Sequence, residues 1–125
     1  MKKVLLTSLL FLCFPVLAEW KFIGVEEDSS NQFFLDFETL RKEGNLRWVW
    51  QVVNIKLENQ YGWVSIRAKM EYDCKNETSK TLSATAFSRE FAGGKDLHQS
   101  NEIGAKTYIA PNTVASTLLK EVCRR

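Results

Sequence analysis

Period-two alternation is clearest from Ser65 to Cys74, where Ile66, Ala68, Met70, Tyr72 and Cys74 fall on one side and Ser65, Arg67, Lys69, Glu71 and Asp73 on the other. This predicts a half-buried strand with one core face, one wet face and Cys74 directed inward. Leu46 to Leu57 is apolar on both sides through Trp48, Val49, Trp50, Val52, Val53 and Ile55, as expected of a strand in the middle of a sheet. Trp48 and Trp50 share one face of it, and Val49, Val53, Ile55 and Leu57 the other. Shorter β-rich runs at Trp20 to Val25 and Gln32 to Asp36 flank a polar turn from Glu26 to Asn31. Phe37-Glu38-Thr39 is too short for more than a bend or a helical turn. Leu40 to Glu43 then meets Gly44-Asn45, a two-residue hairpin signal. Asn59 to Gly62 turns the chain again, and Lys75 to Lys80 leads into a last strand, Thr81 to Phe91, ended by Gly93-Gly94.

Residues 95 to 109 carry little pattern and read as an exposed loop with room for a short edge strand near Thr107 to Ile109. Pro111 stands where a first helical turn tolerates proline, and Val114, Leu118, Leu119 and Val122 recur at helical spacing. The fold class that follows is α+β: an antiparallel five- to six-stranded sheet with one C-terminal helix packed on one face. If that helix covers the Val49, Val53, Ile55 and Leu57 side, Trp48 and Trp50 lie on a face left for protein recognition or self-association. The competing reading packs both indoles into the core, where aromatic side chains are commonest.

The N-terminus has a different pattern. Met1-Lys2-Lys3 precedes an apolar run of about thirteen residues, Val4 to Val16, and Ala18 follows with Val16 two positions earlier. This is the form of a signal peptide, residues 1–18, cleaved after Ala18. The run falls short of the roughly 20 residues of a spanning helix, so no transmembrane anchor is expected after cleavage. Leu10-Phe11-Leu12 precede Cys13, where lipid attachment would need small residues. The chain should therefore be exported, to the periplasm or to the cell surface.

Trimming changes both the charge and the cysteine count. Of 125 residues, 107 remain, enough for one domain, 19–125. Loss of Lys2 and Lys3 lowers Lys+Arg from 17 to 15 against 15 Asp+Glu, so the domain is formally neutral and has no net basic field for nucleic acid. Two cysteines remain, Cys74 and Cys123, and an oxidising compartment makes their pairing the default. The disulfide would tether the helix to the fifth strand.

Candidate chemistry is sparse. His98 is the only histidine, in a polar stretch that reads as a solvated loop, with no nucleophile beside it. One histidine and two paired cysteines leave too few ligands for zinc. Glu26-Glu27-Asp28 lacks the alternation and glycine of a calcium loop. Nothing in the sequence marks Asp36 and Glu38 as a buried catalytic pair, and Asn76-Glu77-Thr78 is a glycosylation sequon of low specificity. No enzyme activity, cofactor or metal is expected.

Several segments occur in a distinctive order: Ala18-Glu19-Trp20, Phe33-Phe34-Leu35-Asp36, Gly44-Asn45-Leu46-Arg47-Trp48-Val49-Trp50, Glu71-Tyr72-Asp73-Cys74-Lys75-Asn76 and Leu118-Leu119-Lys120-Glu121-Val122-Cys123. Together they resemble the bacterial surface-adhesin protein E family over nearly all of residues 19 to 125. The resemblance implies an antiparallel sheet with a disulfide-tethered C-terminal helix, Cys74 and Cys123 being the only residues it carries over. It also implies a protein-binding module that attaches bacteria to epithelial cells or to host matrix and serum proteins such as laminin and vitronectin, in a family where homodimers occur. The named adhesins are lipid-anchored, which this chain is not expected to be. The rival expectation is a periplasmic, non-adhesive structural or inhibitor-like domain that binds an envelope protein.

Overall fold

A computed structural model describes Leu10, Leu12 and residues 18–125. The expected signal peptide and Cys13 otherwise lie outside the described residues. The elements are β1 (Lys21–Val25), β2 (Gln32–Glu43), β3 (Leu46–Asn54), β4 (Ser65–Asp73), β5 (Thr78–Arg89), β6 (Gly93–Ser100), β7 (Thr107–Tyr108) and α1 (Val114–Cys123). Strands β1 to β6 form an antiparallel meander in sequence order, and β7 pairs with the start of β5. The expected antiparallel sheet with a C-terminal helix is present, as six strands plus one short one.

Several strand boundaries differ from the sequence reading, among them the strand expected at Thr81 to Phe91, which runs Thr78–Arg89 and leaves Phe91 in the following turn. Gln32 to Glu43 is one strand, not two, with a register break between Asp36 and Arg41 where the bend was expected. Cys74 therefore follows the fourth strand. The third strand stops at Asn54, so Ile55 and Leu57 belong to the following loop, and Leu57 is 62% exposed rather than under the helix. Residues 93 to 100 form β6, where a loop was expected, and Gly93 opens it instead of ending the previous strand. Both faces of β6 lie largely in solvent, so its sequence shows no alternation to betray it.

The turns follow their residues. Gly44 adopts φ +57° between the paired Glu43 and Leu46, the conformation required at the first central position of a II′ hairpin. Asp73 closes the β4–β5 turn by accepting the N–H groups of Lys75 and Asn76, each at 3.0 Å, and the Asn76 amide at 2.9 Å. The Asn76 donors hold its carboxyl below the usual carboxylate range.

Helix α1 begins at the cap Thr113, which exchanges hydrogen bonds with Ser116 in a capping box. Pro111 lies ahead of that cap rather than in the first helical turn. Leu118, Leu119 and Val122 press onto Leu35, Val49, Ala68, Met70 and Tyr72 to make the main core. The apolar side of β4 read from alternation is thus the side the helix covers. Tyr72 donates a hydrogen bond to Gln51 Oε1 at 2.8 Å, which satisfies the phenol in this dry layer, and burial raises its pKa. Cys74, just past β4, is bonded to Cys123 at the helix end, with Cα atoms 5.8 Å apart. The loop so closed spans 49 positions, worth about 4 kcal/mol in the chain-entropy account.

Candidate functional site

The sheet face opposite α1 carries Trp48 and Trp50, as their spacing requires. Both are half-buried. Cross-strand pairing sets Trp48 against Glu71 and Trp50 against Lys69. The Trp48 indole N–H donates to Glu71 Oε1 at 3.0 Å, and Lys80 Nζ lies 3.2 Å from Glu71 Oε2. Trp48 is therefore pinned by a polar relay. Trp50 is held differently: its backbone N–H donates to Thr39 Oγ1 at 3.0 Å, and its ring lies 5.8 Å from the Arg67 guanidinium.

The break in β2 shapes the surface beside both indoles. Between the pairs Asp36–Trp50 and Arg41–Trp48, β3 supplies Val49 alone while β2 supplies residues 37 to 40. The extra residues bulge out of the ladder. The bulge is stabilised locally, because Asp36 Oδ1 accepts the Glu38 N–H at 3.1 Å and Thr39 Oγ1 donates to the Asp36 carbonyl at 2.7 Å. Asp36 is only 6% exposed and its Oδ1 serves this turn, while Glu38 lines the surface beside it. Two grooves follow from the bulge. One, of about 550 Å³, runs past Trp48, Trp50, Arg41 and Lys69. The other, of about 660 Å³, is walled by Trp20, Trp50 and Phe91 with Arg67 and Asp36 in its lining.

At its other end this face is closed by aromatic packing. Phe34 meets Phe22 at 5.5 Å and Phe91 at 4.9 Å, both edge-on, above the fully buried Val52. Phe91 and Ala92 take left-handed φ of +56° and +58° in the β5–β6 turn, a conformation that neither residue favours. Asn54 and Ser65, both 0% exposed, hold that turn. Asn54 Oδ1 accepts the Phe91 N–H at 2.9 Å, while Ser65 Oγ accepts the Ala92 N–H at 3.0 Å and donates to the Arg89 carbonyl at 2.6 Å.

His98 is on β6, exposed, and stacked on Trp63 at 5.5 Å, which in turn lies 5.0 Å from Tyr61. No cluster of three or more His, Cys, Asp or Glu suited to a metal occurs among the described residues. Sequence reasoning found Trp48 and Trp50 but missed Trp20, Arg67 and Phe91 as parts of the same surface. Alternation already put Arg67 on the wet face of β4; its place diagonal to Trp50 needed the strand register.

A profile of the surface-adhesin protein E family matches residues 20–124. The chain belongs to that family. No curated protein matches it. Among solved structures it is similar to Haemophilus influenzae protein E in its selenomethionine form, with TM-score 0.63 and 13% identity over 88% of this chain and 89% of that one. A second crystal form of the same protein gives TM-score 0.62 and 14% identity over 82% and 87%. Protein E from non-typeable Haemophilus influenzae gives 0.58 and 13% over 82% and 75%. At such identity these likenesses show a shared fold. Membership in the protein E family indicates a surface or exported adhesin-like module. No helix among the described residues is long and apolar enough to cross a membrane.

Proposed function

We propose that this chain is an exported adhesin-like module, trimmed after Ala18, that binds a protein partner through its tryptophan face. Host matrix or serum proteins are the partner class. The observation that carries this reading is the groove bounded by Trp20, Trp50 and Phe91, which leaves aromatic surface beside a cation on the sheet face that α1 does not cover. Aromatic and arginine side chains dominate binding energy at protein interfaces. The face is held by the β2 bulge and the β5–β6 turn, so little ordering is left to be done on binding.

Binding of the purified exported protein to immobilised laminin and vitronectin tests it. The Trp48→Ala, Trp50→Ala double variant should bind at least about tenfold more weakly, as expected for loss of central aromatic anchors. Undiminished binding by that variant overturns the assignment of the face. A second reading, a periplasmic domain that binds an envelope protein, draws on Leu10-Phe11-Leu12 ahead of Cys13, which deny it a lipid anchor. Protease treatment of intact cells separates the two: a displayed domain is cleaved, and a periplasmic one is protected.

A further inference from the structure

Arg67 stands out within the tryptophan face. Register places it opposite Val52 and Thr85, diagonal to Trp50 on one side and to Phe87 on the other. Its guanidinium carbon lies 5.0 Å from the Phe87 ring centroid and 5.8 Å from that of Trp50. Two flanking rings hold a planar cation flat and limit its rotamers. On the same face Lys80 pairs with Glu71 at 3.2 Å, while Lys69, opposite Trp50, is exposed to solvent and not held between two rings. Among the described residues Arg67 makes no ion pair and no side-chain hydrogen bond. Its nitrogens are also absent from the buried unpaired atoms, which are Arg47 Nε and Asn54 Nδ2, so they keep access to solvent in a residue that lines the groove.

A guanidinium fixed in orientation, unpaired and set among indole and phenyl walls is a fork for a planar anion. The groove also contains Asp36, a carboxylate that repels an incoming anion, and a dianion more strongly than a monoanion. A dianionic phosphate would meet that carboxylate at a disadvantage, whereas a single carboxylate needs only the fork. Trp20 and Phe91 at the walls suit an apolar group attached to it. We propose that Arg67 is the anion receptor of this face and reads a carboxylate next to an apolar side chain on the partner polypeptide. This rests on the tryptophan face being the recognition surface and names the chemistry it selects.

The test uses the exported protein, 3-phenylpropanoate as probe, and the uncharged 3-phenylpropanamide and dianionic phenyl phosphate as controls. Nuclear magnetic resonance of the indole N–H groups and the Arg67 Nε–H reports occupancy. The carboxylate should shift Trp20, Trp50 and Arg67 together and bind about fivefold or more tightly than the amide, the scale of one charge-assisted fork. In Arg67→Met the two probes should bind alike, and Arg67→Lys, which keeps charge without the fork, should recover less than half of the preference. The acid–amide comparison on the unaltered protein needs no variant to fold. Equal shifts by acid and amide overturn the receptor role while leaving the face as a recognition surface. Tighter binding of phenyl phosphate overturns the choice of carboxylate. Unmoved indoles with every probe overturn the inference too, and the matrix-binding loss in the Trp48→Ala, Trp50→Ala variant then still decides the underlying reading by itself.

Discussion

The two faces of this sheet use apolar side chains for opposite ends. Under α1, Leu35, Val49, Met70, Tyr72, Leu118 and Val122 are all at or below 9% exposure and seal one another from water. On the other face Trp48, Trp50 and Trp20 stay half-buried, next to charged groups and open grooves. The first face is cross-linked by Cys74–Cys123, and the second is stiffened by polar contacts to a bulge and a turn. The lesson is that stability and recognition have been assigned to different sides of the same strands. Neighbouring residues such as Val49 and Trp50 should then respond very differently to substitution.

Breaking the covered face should do the most damage. Replacing Cys74 and Cys123 by Ser should lower stability by about 4 kcal/mol and the melting temperature by roughly 20 °C, measured by calorimetry on the trimmed protein. Leu118→Ala, at 3% exposure, should cost about 3 kcal/mol in urea titration. On the opposite face the comparable lesion is polar: Asn54→Ala strands the Phe91 N–H and frees a left-handed turn, for about 2 kcal/mol.

Tyr72 sharpens the contrast through pH. Burial raises its folded-state pKa above that of the unfolded chain, so its contribution is complete below about pH 10 and is lost as pH climbs toward the raised value. Above pH 10 stability should fall by up to about 1.4 kcal/mol per unit, and Tyr72→Phe should remove that slope. The smallest loss belongs to the half-buried indole, with Trp50→Ala costing about 1 kcal/mol in the same titration.

Much of this division was legible in the sequence. Alternation from Ser65 to Asp73 assigned both faces of β4, the Val114–Leu118–Val122 spacing gave the helix, and the cysteine count gave the disulfide. Trp48 and Trp50 were separable from Val49 because side chains alternate along a strand. What escaped depended on register or on solvent. β6 has two wet faces and hence no period, while Pro111 misled because the Thr113–Ser116 box, not proline, starts the helix. The grooves escaped as well, since residues 37 to 40 show only that the chain bends and not which side of the sheet opens. Arg67 looked like any solvated cation until pairing set it between Trp50 and Phe87.

Hydroxyl-radical footprinting of the exported protein, free and bound to an immobilised matrix protein, tests the division most directly. Trp20 and Trp50 should be oxidised in the free protein and shielded in the bound one, while Tyr72 stays unmodified in both. Protection that falls on α1 or β6 instead, or a Trp50 as silent as Tyr72 in the free protein, would contradict it.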